Sequence, residues 1–195
     1  RRENVAMEVG YTAEVLAELS ALAPVVVANS NHDRHLERWL KEADWRSDPV
    51  NAQFFLACQS AYLAAISSGR PFDALKWAIQ HINPVKGVRF LANGESFVIG
   101  RDAAGGIELG LHGDLGPGGS RGSIRNLSRL GRKVVIGHSH SAGIFNGAFQ
   151  VGLSAPAAAF EYARGAPSSW SNTACIVHPN NKRELVTFWN GRWCA

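Results

Sequence analysis

Hydrophobic positions follow a helical period in the first half of the chain and a strand period in the second. Over Glu3 to Leu22, the residues Val5, Val9, Val15, Leu16 and Leu19 recur at roughly helical spacing. Gly10 is a weak point in this helix and Pro24 closes it. Val25-Val26-Val27-Ala28-Asn29 is a short β-branched run, which reads as a buried strand of a largely parallel sheet. Helices are predicted over Asp33 to Ala43, over Asn51 to Ser67 behind the Ser47-Asp48-Pro49 turn, and over Phe72 to His81.

The texture changes near Pro84. Val88 to Ala92 and Ser96 to Ile99 flank Asn93-Gly94-Glu95, a hairpin signal. Ile107 to Leu111 reads as a strand running into His112-Gly113-Asp114. A glycine-rich loop fills Gly116 to Gly122, and a short helix capped by Ser123 runs to Leu130. Strands follow at Lys133 to Ile136, Gly143 to Phe145 and Ala148 to Val151. A last hairpin pairs Thr173 to Val177 with Glu184 to Trp189 through Pro179-Asn180-Asn181. Helices alternating with strands, then a strand-rich stretch, predict an α/β fold. No linker divides the chain, so a single domain over residues 1–195 is expected.

Composition narrows the class. Of 195 residues, 46% are hydrophobic and 18% charged, which excludes a disordered tail or a coiled coil. No apolar run approaches the roughly 18 to 20 residues of a membrane helix. A net charge of +4 suits an anionic partner without demanding one. Cys58, Cys175 and Cys194 form neither a disulfide framework nor a zinc pattern, so a reduced, cytoplasmic setting is the expectation, with Cys58 an inert buried thiol. The chain opens Arg1-Arg2-Glu3, without an initiating Met or signal peptide, and is expected to be a piece of something longer.

Three apolar runs end in polar, metal-competent residues: Asn31-His32-Asp33 after Val25 to Asn29, His112-Gly113-Asp114 after Ile107 to Leu111, and Gly137-His138-Ser139-His140 after Val134 to Ile136. In α/β sheets, sites gather beyond the carboxyl ends of strands. Neutral imidazoles beside an amide or carboxylate oxygen suit Zn, Mn, Fe or Ni. His138 and His140 stand two apart, so on a loop they can diverge towards two neighbouring metals, and Gly137 allows the tight turn before them.

These blocks resemble the calcineurin-like metallophosphoesterase superfamily. Its ordered pattern is D-x-H, G-D, G-N-H-D/E, a lone His, then G-H-x-H. Ser30-Asn31-His32-Asp33 is similar to the third block with Ser for the first Gly, His112 to the lone His, and Gly137-His138-Ser139-His140 to the last. Leu36-Glu37-Arg38-Trp39-Leu40, His112 to Pro117 and Gly165-Ala166-Pro167-Ser168-Ser169-Trp170 further resemble a phage-associated branch that includes DNA-degrading enzymes. The resemblance spans Val25 to Trp189. It implies a metallophosphoesterase-like β-sandwich flanked by helices, incomplete at its amino end.

The resemblance also implies roles. Asn31, His112 and His138 would bind one divalent ion and His140 another, with Mn favoured over Zn, Fe or Ni. His32 would serve the leaving group, and Asp33 would orient His32, although Asp33 could equally cap the following helix. Arg34 and Arg121 are candidate phosphate contacts, with the glycine loop offering backbone amides, and Trp170 is a candidate for stacking on a base. The substrate would be a phosphoester, leaning towards a phosphodiester such as DNA. A homo-oligomer is compatible with the sequence and a membrane is not expected. The D-x-H and G-D blocks are missing, since the residues before Asn31 contain no Asp and no His. Asp33-Arg34-His35 and Gly113-Asp114 are rejected as replacements because they stand in the wrong order. The alternative is therefore a catalytically inactive module of the same fold that binds nucleic acid or a protein partner.

Overall fold

Asn4 accepts a hydrogen bond from the amide of Met7 at 3.0 Å and so opens α1, Val5–Leu22. The structure, a computed structural model, describes residues 4–101, 105–156, 160, 165 and 167–193. Arg1, Arg2, Glu3, Ala166 and Cys194 of the sequence reading lie outside these. The described chain is mixed α/β and divides into two units, Arg1–Ala92 and Asn93–Ala195.

In the first unit, α1 buries Val9, Ala13 and Leu16 against Ala78 and Ile79 of α4, Ala74–Ile82, and against Val85. Its Met7, Tyr11, Val15 and Leu19 face outward and are about half exposed, which makes the helix apolar on two sides. A second cluster joins Leu40 of α2, Asp33–Glu42, to Phe55 and Cys58 of α3, Ala52–Ser67, and to Ala74. Trp39 meets Phe55 edge-on at 4.9 Å there. Buried Asn51 joins the two helix starts: its side chain accepts from the Val5 amide and donates to Asp48, both at 2.9 Å. The strand β1, Val25–Val27, pairs in parallel with β2, Val88–Phe90. Parallel pairing was expected, but β1 is shorter than the apolar run and only half-buried.

The second unit holds two sheets. One comprises β3 (Val98–Ile99), β4 (Ile107–Glu108), β5 (Lys133–Ile136), β6 (Gly143–Phe145) and β7 (Ala148–Gln150) in the order β3-β4-β5-β7-β6. Its three central strands are parallel and its outer two antiparallel. Leu127 of the short α5, Ile124–Leu127, packs on Val134, Ile136 and Ala148. The other sheet is antiparallel: β8 (Asn172–Val177), β9 (Arg183–Trp189) and β10 (Arg192–Trp193). Arg183 ties the two sheets. Its guanidinium donates to the carbonyls of Val134 at 2.9 Å and Gly147 at 2.6 Å and lies 4.2 Å over the Phe149 ring.

The hairpin expected around Asn93-Gly94-Glu95 does not form. Gly94 does turn with φ 76°, but β2 goes to β1 and β3 goes to β4, so the flanking strands serve different sheets. The strand after Ile107 is also shorter than predicted, ending at Glu108.

Candidate functional site

Each unit carries part of the expected chemistry. In the first, Ser30 and Asp33 form a reciprocal cap at the start of α2. The Asp33 carboxylate accepts from the Ser30 amide at 2.7 Å, and the Asp33 amide donates to Ser30 Oγ at 3.3 Å. Burial pushes the Asp33 pKa above its ordinary value, against the opposing pull of the Ser30 hydrogen bonds and of His32, while the nearby Asp73 charge adds to the rise. Among the described residues no hydrogen bond joins Asp33 to the exposed His32 ring, which instead lies 5.4 Å from that of His35. Asn31 opens a groove along α2 that Arg34, Arg38 and Lys41 also line.

In the second unit the lone histidine and the histidine loop meet. The Gly137 amide donates to the His112 carbonyl at 2.8 Å, which extends the β4–β5 alignment past the strand ends. The His112 and His138 rings then stand 5.2 Å apart at 77°. Gly113, at φ 111°, lets the chain pass: a Cβ there would lie 3.2 Å from the Gly137 carbonyl oxygen and from Ile136 Cβ. His138 and His140 adopt left-handed backbones, φ 72° and 63°. Side chains avoid this region, at a cost of about 1–2 kcal/mol per residue. The His140 ring meets Trp170 edge-on at 4.7 Å and Phe160 at 5.9 Å. The two histidines of the loop therefore have different neighbours, as expected for a loop leaving a strand.

Two buried polar residues support these segments, and the sequence reading passed over both. Gln150 reaches from β7 to the loop and donates to Ser139 Oγ and to the Ser141 carbonyl. Glu108 takes hydrogen bonds from the Ser96 hydroxyl, the Phe97 amide at 2.9 Å and the Gly110 amide at 2.8 Å, with Arg132 at 3.6 Å. Burial raises its pKa, but these bonds and the Arg132 charge outweigh burial and hold the carboxyl below its ordinary value. The signal for both was a polar residue at an inward strand position, which becomes informative only once the sheet register is known.

The glycine loop is closed on itself. Leu115 bridges to Arg121, and the amides of Gly116, Gly119, Ser120 and Gly122 donate within the loop or to Asp114. Those four amides are therefore committed, and the Arg121 side chain is exposed beside them. His35 and His81 lie on helix surfaces, His81 stacked on Trp77 at 4.5 Å, and His178 pairs with Glu184 at 3.2 Å across the last hairpin. Cys58 is buried and its thiol is pushed up to about 12 by desolvation.

The donor chemistry of His112 and His138 suits a divalent transition metal, supplying two of the ligands such an ion takes. Among the described residues no three His, Cys, Asp or Glu side chains gather as a metal-holding group. No helix among them is long and apolar enough to cross a membrane.

Fold and site together define a mixed α/β protein with paired histidines beyond the carboxyl ends of adjacent parallel strands. No protein-family model matches the chain, and no solved structure matches it. The chain is similar to Protein A1 of Escherichia phage T5, with 33% identity over 199 aligned positions covering 100% of this chain and 34% of the phage protein. It thus spans about a third of the length of that relative.

Proposed function

We propose that this chain belongs to a metal-dependent phosphoesterase of the calcineurin-like type that hydrolyses a phosphodiester, with DNA the favoured substrate. The carrying observation is the His112–His138 pair, set 5.2 Å apart beyond adjacent parallel strands, with His140 on the same loop. His112 and His138 would hold one divalent ion, and His140 would serve a second. The ions, when bound, neutralise phosphate oxygens and supply a hydroxide at neutral pH. The roles of Asn31 as an amide ligand, His32 as the proton donor to the leaving group and Asp33 behind it rest on motif order. The likeness to a phage protein supports the phage-associated branch. A polyanionic substrate is supported by charge: between Asp114 and Glu161 the chain carries Arg121, Arg125, Arg129, Arg132 and Lys133 and no acidic side chain.

One observation favours a second reading, a module of this type that binds without catalysis: no described trio of His, Cys, Asp or Glu forms a metal-holding group. Calorimetric titration with Mn²⁺, beside hydrolysis of a chromogenic diester and of DNA, separates the two. Mn²⁺ uptake that His138→Ala abolishes supports the phosphoesterase. DNA binding with neither metal uptake nor hydrolysis supports the inactive module.

A further inference from the structure

Gln150 stands where the strand pattern calls for an apolar side chain. Along β7, Ala148 and Gln150 both point inward, and Gln150 is 6% exposed. Its backbone is fixed between Ile136 of β5 and Gly143 of β6. From this fixed base the carboxamide nitrogen bonds Ser139 Oγ and the Ser141 carbonyl, which occupies both of its N–H groups. A carbonyl can only accept, so the contact also settles which end of the carboxamide faces the loop. The two bonded residues bracket His140, and Ser139 directly follows His138; both histidines have left-handed backbones.

We infer that Gln150 is a positioning residue for the histidine loop: by bridging Ser139 and Ser141 it holds His138 and His140 in the conformations that bring one imidazole to His112 and the other to Trp170. The bridge acts beside two main-chain bonds, from the Ser139 amide to the Gly137 carbonyl at 3.0 Å and from the Ser171 amide to the His140 carbonyl at 3.2 Å, and adds a side-chain restraint on either side of His140. An effect on metal affinity rests on the phosphoesterase reading, whereas the effect on backbone conformation stands apart from it.

The test uses the whole chain and Gln150→Glu, which keeps the size but turns an acceptor towards the Ser141 carbonyl. Three-bond HN–Hα couplings in the metal-free protein report φ at residues 138 and 140. The couplings at His138 and His140 are expected to change and those at His35 and His81 to stay. Titration with Mn²⁺ alone is expected to show affinity lowered by about tenfold or more, the scale on which supporting shells act. Unchanged couplings at His138 and His140 would overturn the inference whatever the metal result. If the unaltered chain takes up no Mn²⁺, the phosphoesterase reading fails, and the couplings still decide the role of Gln150. If Gln150→Glu does not fold, Gln150→Met, similar in shape but without a donor, is read by the same couplings.

Discussion

The carbonyl of His112 accepts from the amide of Gly137 at 2.8 Å, and this backbone bond sets the imidazoles of His112 and His138 face to edge. A ring pair placed by main-chain geometry is sensitive to changes in the local path of the backbone.

Gly113 is the sensitive point of that path. Gly113→Ala puts a methyl group 3.2 Å from the Gly137 oxygen and Ile136 Cβ at a φ that alanine disfavours. It is expected to destabilise the protein by about 1–3 kcal/mol. Urea denaturation measures the loss, and imidazole NMR resonances of His112 and His138 should move with it.

Metal content is the second test. The isolated chain, lacking the D-x-H and G-D blocks, is expected to hold at most one divalent ion tightly and to turn over phosphodiesters slowly. Elemental analysis after equilibration with Mn²⁺ and removal of the excess decides it. Two tightly held ions with robust hydrolysis would refute this expectation.

Glu108 and Asp33 should respond to acid with opposite signs. The folded Glu108 carboxyl titrates below its ordinary value, so its stabilisation is complete above the ordinary glutamate range and is lost as pH falls through the folded value. The folded Asp33 carboxyl titrates above its ordinary value, so lowering the pH through that value favours the folded state. Stability curves of Glu108→Gln should lose acid sensitivity, and those of Asp33→Asn should gain it. Side-chain carboxyl NMR titrations check both directions.

The core of the first unit offers a further check. Phe55 is fully buried between Trp39, Leu40 and Cys58, and Phe55→Ala is expected to cost about 3–5 kcal/mol in denaturant titration. Cys58 beneath it should resist alkylation until unfolding, since burial suppresses its thiolate. Peptide mass spectrometry of briefly alkylated native and denatured protein measures the contrast.

The sequence was most readable where structure is local. The apolar run Val134 to Ile136 placed Lys133 to Ile136 as a strand, and the Ser123 cap placed the following turn of helix, because neighbouring residues determine both. The pairing of β2 was misread because Asn93-Gly94 promised a nearby partner, while burial beside Val25 to Val27 joined residues distant in sequence. The histidine segments were visible as residue types after apolar runs, and His112 and His138 do meet. Gln150 and Glu108 were invisible for the opposite reason. A single polar letter in a strand takes its meaning from the register of the sheet.

The left-handed backbones at His138 and His140 expose a conflict between robustness and use. Asparagine or glycine relaxes such a position, so His138→Asn and His140→Gly are expected to leave the fold as stable or more so, even as they remove the imidazoles. A search for thermally hardened variants of this chain would drift towards these two replacements, and the sturdiest products would be those stripped of both imidazoles.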